Sequence, residues 1–206
     1  AAEDIYLRLS EGTGISKAEL KPIMLDVLGM VDRMSDTIDH LRVFSRDKQD
    51  EPRIAFDANE VVHSSLNILG TQLKSHGVQT DLNLAEGLPR VNGHSHQIEQ
   101  VLLNLLGNAR DALDERKGEA EKRVRIQTHQ ENGQVVLEVE DNGIGMDEEA
   151  RARVFEPFFT TKGAERGTGL GLSISYSIVK NHNGQMVCES RKGEGTTFRV
   201  SLPVAG

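Results

Sequence analysis

The sequence predicts an α+β fold preceded by a helical segment, and three observations carry that reading. Val124, Ile126 and Thr128, then Val135, Leu137 and Val139, alternate as strands do on either side of an Asn132-Gly133 hairpin turn. The strands are hairpin-linked with helices interspersed, which argues against a doubly wound parallel sheet. Ahead of them, Leu20, Met24, Val27, Val31, Met34, Ile38 and Leu41 recur at alternating steps of four and three, the spacing of a heptad seam.

Ile5 to Leu9 reads as the end of one helix, Glu11 to Gly14 as a tight turn, and residues 16 to 48 as a long helix, so the two pieces predict a helical hairpin. The start of the long helix stays open. Ser16 with Glu19 has the pattern of a capping box, whereas a start near Leu20 puts Pro22 in the first turn, where its missing N–H does least harm. The seam suits packing within the chain or a bundle between chains; the expectation is a homodimer through residues 1 to 48. Asp50-Glu51-Pro52 stops the helix and divides the chain into residues 1–50 and 51–206.

In the second part, Asp57 caps a helix running to about Ser75, and Val78 to Leu84 is a strand. Leu88 to Val91 is a short strand, and Ser95 is a candidate cap for a helix reaching about Glu115. After the Asn132-Gly133 hairpin comes a helix near Leu170 to Asn181, then strands at 185 to 190 and 196 to 202.

A net charge of −8 argues against a non-specific nucleic-acid surface, which needs clustered excess Lys and Arg. Cys188, the single cysteine, lies in a strand-like stretch and reads as a small buried hydrophobe, in keeping with a reducing, cytoplasmic setting. No apolar run approaches the roughly 18 residues that cross a membrane. The chain opens Ala-Ala-Glu-Asp, the start expected of a piece of a longer protein, and a membrane anchor ahead of it stays open.

Four motifs carry chemistry. Asn104, Asn108 and Asp111 fall at i, i+4 and i+7 on one helix face, opposite Leu102, Leu106 and Leu113. An amide oxygen is a hard ligand suited to Mg²⁺; the plainer account is polar residues on a solvated face. Asp141-Asn142-Gly143-Ile144-Gly145 follows a strand in which Val135, Leu137, Val139 and Asp141 share a phase. Asp141 therefore points toward the core at its rim and needs a partner such as the exocyclic amine of adenine, with Gly143 and Gly145 letting the backbone approach a flat base. Alternatively, Asp141 is a local turn cap. Phe155-Glu156-Pro157-Phe158-Phe159-Thr160-Thr161-Lys162 reads as a loop with apolar anchors, whose Lys162 is either solvated or reaches a phosphate as a point charge. Gly167-Thr168-Gly169-Leu170-Gly171-Leu172-Ser173 opens a helix, where free N–H groups and the dipole bind phosphate, unless it is an ordinary flexible loop. It is neither a Walker A sequence nor a Rossmann fingerprint.

In residues, order and spacing the four motifs resemble the N, first-glycine, F and second-glycine boxes of histidine kinases, within the GHKL superfamily, over about residues 52 to 204. The stretch from Phe155 to Ser173, and Asp111, look most like the nitrogen-regulation and dicarboxylate-sensing group. The resemblance implies a two-layer α/β sandwich, a mixed sheet against three helices, with ATP under a mobile lid. It implies Asn108 as the Mg²⁺ ligand, Asp141 as the adenine reader and Thr196 as its support. Thr196 shares a phase with Phe198, Val200 and Leu202. Lys162, Gly167, Gly169 and Gly171 would be lid and phosphate elements. The expected ATP-contacting set is completed by Asn104, Asp111, Gly143, Gly145, Thr161, Thr168 and Leu170.

Asp39 to Arg46 resembles the second helix of that group's dimerisation and phosphoacceptor hairpin. The acceptor histidine should lie early in the first helix, followed by an acidic residue and soon a proline. None of the seven histidines has that setting, so the acceptor is expected upstream of this chain. The resemblance thus implies a protein-histidine kinase using ATP and Mg²⁺, with ATP or ADP bound and a response-regulator receiver domain as partner. A GHKL-type ATPase would carry a Glu where Asn104 stands, and an amide is no general base. A non-catalytic dimer scaffold is the remaining alternative.

Overall fold

The structure is a computed structural model, and it describes residues 20, 21, 23, 24, 52–116, 118, 121–162 and 167–205. The chain divides into two compact units, Ala1–Asp47 and Lys48–Gly206. Of the first unit, Leu20, Lys21, Ile23 and Met24 are helical. The expected hairpin, its remaining seam and the dimer through residues 1 to 48 lie outside the described residues. Among the described residues, no helix is long and apolar enough to cross a membrane.

The second unit runs β1 Ile54–Phe56, α1 Ala58–Ser75, β2 Val78–Leu84, β3 Val91–Gly93, α2 Ser95–Asp114, β4 Lys122–Glu131 and β5 Gln134–Asp141. It continues with α3 Glu148–Arg153, α4 Gly171–Asn181, β6 Gln185–Arg191 and β7 Gly195–Pro203. Five strands form one sheet in the order β2-β4-β5-β7-β6, and β1 pairs with β3 in a separate two-stranded sheet. β2 and β4 are parallel and the other neighbours in the large sheet antiparallel, so that sheet is mixed. Helix α2 packs beside α1 and α4 and against β5, β4 and β7. This is the predicted α+β sandwich of a mixed sheet and three main helices.

The alternation read from the sequence builds the core. Val124 and Ile126 of β4, Val135, Leu137 and Val139 of β5, and Phe198, Val200 and Leu202 of β7 are all buried. They meet the apolar side of α2, where Val101, Leu102, Leu105, Leu106, Ala109 and Leu113 are buried too. Burying each Leu or Val contributes roughly 1.5–3 kcal/mol, so this layer holds the sheet to α2. The Asn132-Gly133 turn has φ 49° and 75°, the left-handed pair that a tight hairpin demands. Asp57 caps α1 as expected, accepting from the Asn59 N–H at 2.8 Å. Cys188 is buried, and burial pushes its thiol up to about 12.

Two local expectations are corrected, and one short element is added. The strand expected at Leu88 to Val91 is β3, Val91–Gly93, aligned by pairing of Phe56 with Val91 and Ile54 with Gly93. Pro89 deprives the preceding stretch of a donor, and the three-residue β1 was too short to read. Ser95 is the first residue of α2, not its cap. That position belongs to His94, which makes no side-chain capping bond. Its backbone N–H instead donates to Nε2 of buried His182 at 3.0 Å. His182 Nδ1 donates to the Ile178 carbonyl at 2.8 Å, and burial holds the imidazole pKa below its usual value, so the ring is a neutral brace between α4 and the start of α2. Finally, α3 was not predicted; Asp147 caps it, accepting from the Ala150 N–H at 3.0 Å.

Leu106 lies at the centre of the α2–sheet layer, fully buried, whereas Ile68 on α1 is 55% exposed. Leu106→Ala should cost about 2–5 kcal/mol in urea unfolding, and Ile68→Ala under about 1 kcal/mol. Equal costs would mean that this layer does not hold the domain.

Candidate functional site

The polar side of α2 joins the four motifs. Its residues Asn104, Asn108 and Asp111 are half-buried, as their spacing opposite the leucines requires. Asn104 Nδ2 donates to the Gly171 carbonyl at 3.2 Å and to Ser175 Oγ at 3.1 Å, tying α2 to the first turns of α4. Lys162 Nζ donates to Asn108 Oδ1 at 3.1 Å and to Asp111 Oδ2 at 2.6 Å, bringing the loop after Phe155 onto the same face. The Ile144 N–H donates to the Ala112 carbonyl at 3.2 Å, which docks the loop after β5 one residue beyond Asp111.

Asp111 lies between two cations. Burial alone would push its carboxyl up, but hydrogen bonds from Lys162 and Arg110, and their charges, hold it below the usual value. Lys162 is therefore neither freely solvated nor a lone point charge: its ammonium is shared by an amide oxygen and a carboxylate.

Asp141 ends β5 with its side chain buried, opposite Thr196 of β7. Its Oδ1 accepts from the Gly143 N–H at 2.8 Å. Burial pushes the carboxyl up to about 6, opposed by the backbone N–H groups of Gly143 and Thr196 and reinforced by the charge of Glu140. Asp141 thus caps its own turn while its side chain is buried facing the core.

Gly143 and Gly145 serve the chain's own packing. A Cβ at Gly143 would lie 2.8 Å from the Ala112 backbone, and one at Gly145, where φ is +60°, would overlap the Arg191 carbonyl. Here both glycines allow backbone to approach the chain's own backbone. Gly169 acts alike. Its φ is +66°, a Cβ would strike Phe158, and its carbonyl accepts from the Phe158 N–H at 2.9 Å. That bond clips the phenylalanine loop to the glycine-rich loop. Gly167 sits against Thr160 in the same junction.

Of the three phenylalanines expected as anchors, two serve. Phe155 stacks with Tyr176 at 5.0 Å between ring centroids, and Arg153 lies over Phe159 at 4.5 Å. Phe158 is 74% exposed with φ +66°, because its backbone is bent to meet Gly169. Thr161 and Thr168 are exposed, and Thr168 Oγ1 accepts from the Leu170 N–H at 3.4 Å. Leu170 buries its side chain and precedes α4, so only its backbone belongs to the rim. Residues 163–166 lie outside the described residues.

Two residues were missed. Ser175 is buried and orients Asn104; Ser190 accepts from the Met146 N–H at 2.8 Å and contacts Thr196. The available signal for Ser190 was its strand phase with Met186 and Cys188. Among the described residues, no three His, Cys, Asp or Glu side chains gather that would hold a metal ion.

Residues 93–206 match the family described as histidine kinase-, DNA gyrase B- and HSP90-like ATPase. The chain is 42% identical over 175 residues to the two-component sensor PprA of Pseudomonas aeruginosa, covering 84% of this chain and 19% of that protein. It is 35% identical over 179 residues to the signal transduction histidine-protein kinase AtoS of Escherichia coli, covering 86% and 28%. The chain thus spans between 19% and 28% of the length of these relatives. Among solved structures, the catalytic domain of histidine kinase ThkA superposes with a TM-score of 0.65 at 28% identity, covering 75% of this chain and 97% of that one.

The buried carboxyl gives a pH signature. An Asp141 pKa of about 6 in the folded protein, against 3.8 unfolded, means that the native state holds the extra proton between those values. Stability contributed by this residue therefore falls as pH rises from 3.8 to about 6, and levels off above. Asp141→Asn should remove that slope, as read from urea unfolding of both proteins across the range. Parallel pH profiles would contradict it.

Proposed function

The chain belongs to the histidine kinase-, DNA gyrase B- and HSP90-like ATPase family, and we propose that it contains the catalytic domain of a protein-histidine kinase. It binds Mg-ATP and directs the γ-phosphoryl group to a histidine imidazole outside the catalytic domain, for onward passage to an aspartate of a response-regulator receiver domain. The observation that carries this reading is the convergence on one face of α2 of a cation-holding amide, a lysine, a helix-opening glycine loop and, beyond them, a buried carboxylate. The names of PprA and AtoS, a two-component sensor and a histidine-protein kinase, agree with it.

Each residue has a role that its setting suits. Asp141 accepts from the exocyclic amine of adenine, a donor further to the Gly143 and Thr196 N–H groups that already face its carboxylate, and Thr196 supports it. Asn108 Oδ1, which already holds the Lys162 ammonium, would suit a hard divalent cation whose other ligands would be water and phosphate oxygens. Bound Mg-ATP supplies the transferable phosphoryl group and the divalent charge that screens it. Lys162 turns from Asp111 to phosphate. Backbone N–H groups from Gly167 to Gly171, at the start of α4, receive phosphate oxygens. The domain's contribution is then orientation and charge neutralisation.

Asn104 favours a kinase over a water-activating ATPase. Its Nδ2 is committed to Gly171 and Ser175, and an amide takes no proton from water. The homodimer through residues 1 to 48 is part of the same proposal. The match to PprA takes in 84% of the chain, more than the part from Pro52 onward, so the likeness reaches into that segment.

Asp141→Asn should weaken ADP binding at least about tenfold by calorimetry at neutral pH, since a hydrogen bond to a charged acceptor is lost. Equal affinities would remove Asp141 as the base reader. This chain alone, incubated with γ-labelled Mg-ATP, should acquire no acid-labile label, because none of its seven histidines has the acceptor setting. Label on any of them at a kinase-like rate would overturn that expectation.

A further inference from the structure

Two oxygens of different kind hold the Lys162 ammonium on α2: Asn108 Oδ1 at 3.1 Å and Asp111 Oδ2 at 2.6 Å. The other carboxylate oxygen belongs to Arg110, whose Nε and Nη2 donate to Asp111 Oδ1 at 3.0 and 2.7 Å. Nη1 of the same guanidinium donates to Gln72 Oε1 of α1 at 3.0 Å. The two contacts of the ammonium differ in strength, because the amide oxygen is neutral and the half-buried carboxylate makes a charge-assisted bond. Burial would push the Asp111 carboxyl up, yet Lys162 and Arg110 hold it below its usual value, so it is ionised at neutral pH. Asp111 therefore supplies most of the grip on Lys162, and Asn108 is the oxygen that the grip covers.

That oxygen cannot serve two cations at once. A magnesium-sized ion sits about 2 Å from an oxygen ligand, so an ammonium 3.1 Å from the same oxygen would lie within about 5 Å of it. Charges of one and two units that close, in a half-buried setting, repel strongly. Lys162 must leave Asn108 before the amide oxygen can meet a divalent ion. Departure is feasible because Arg110 stays: the vacated carboxylate keeps its guanidinium bonds and is not left as an unpaired charge. We propose that Lys162 is an internal competitor for the divalent cation, its ammonium covering Asn108 Oδ1 in the nucleotide-free protein, and that Asp111 regulates the site by setting how firmly that ammonium is held. The proposal rests on the nucleotide reading given above, in which Asn108 meets the cation. It gives Asp111 the opposite sign to an acid that helps bind a metal: acting through Lys162, the carboxylate opposes binding of the metal–nucleotide complex.

The test is calorimetry of ADP binding to this chain, once with excess Mg²⁺ and once with EDTA. Asp111→Asn keeps the shape of the side chain and removes the charge that holds Lys162. It should raise the affinity for ADP with Mg²⁺ about fivefold or more, because a charge-assisted bond no longer has to be broken. With EDTA the rise should stay under about twofold, since no divalent ion contests Asn108 and Lys162 need not leave it. In a Lys162→Met background, Asp111→Asn should change neither affinity, since no ammonium remains to be held. An affinity with Mg²⁺ that Asp111→Asn leaves unchanged or lowers would overturn the proposal, because Asp111 would then be neutral or helpful to the cation. So would an equal rise with EDTA, or the same rise in the Lys162→Met background, where the carboxylate would be acting on phosphate through its own charge. If the wild type binds ADP under neither condition, the nucleotide reading itself fails and takes this proposal with it. Thermal unfolding of each variant shows that a changed affinity belongs to a folded protein.

Discussion

A carboxylate held out of water at the end of a strand is the constraint around which this site is organised. Asp141 occupies the inward phase of β5 because Val135, Leu137 and Val139 before it build the core, and a one-residue slip would expose all of them. The same register sets Asp141 opposite Thr196. Desolvation then penalises its charge, and the Gly143 and Thr196 amides only partly offset that cost. A fold tolerates such an arrangement where a ligand completes it.

Helix α2 connects that constraint to the rest of the site. Its apolar side is fixed by the sheet, so its polar side has one direction left to face. There Asn104 holds the opening of α4, Asn108 and Asp111 hold Lys162, and the Ala112 carbonyl holds the loop after β5. The hydrophobic layer therefore positions the polar one: displacing α2 disturbs motifs far apart in sequence. The two glycine-bearing loops are fitted closely to the protein itself, with Gly145 against Arg191 and Gly169 against Phe158.

Much of this was legible because periodicity reports burial. The phase of β5 placed Asp141 inward, and the spacing on α2 placed Asn104, Asn108 and Asp111 on one face. Short elements were not legible: β1 has three residues and exists through its pairing with β3, and α3 has six. Nor were contacts between distant segments. Nothing local to Lys162 announces that it bridges Asn108 and Asp111, and nothing local to Phe158 announces that its backbone is bent toward Gly169, leaving its ring exposed. The glycines of the Asp141 motif read as places of close approach, and in the structure they lie against Ala112 and Arg191, contacts that no local pattern announces. Ser190 looked like one more strand residue, because a hydroxyl's significance lies in its partners.

The central claim is that Asp141 is a buried acceptor which an adenine nucleotide satisfies in its ionised form. The most direct measurement is the titration of the Asp141 carboxyl carbon by NMR, with and without saturating ADP. The account predicts a midpoint of about 6 in the free protein, displaced to lower pH when ADP is bound, because the ligand binds the ionised form. A free midpoint near 3.8, or one that ADP leaves unmoved, would contradict it.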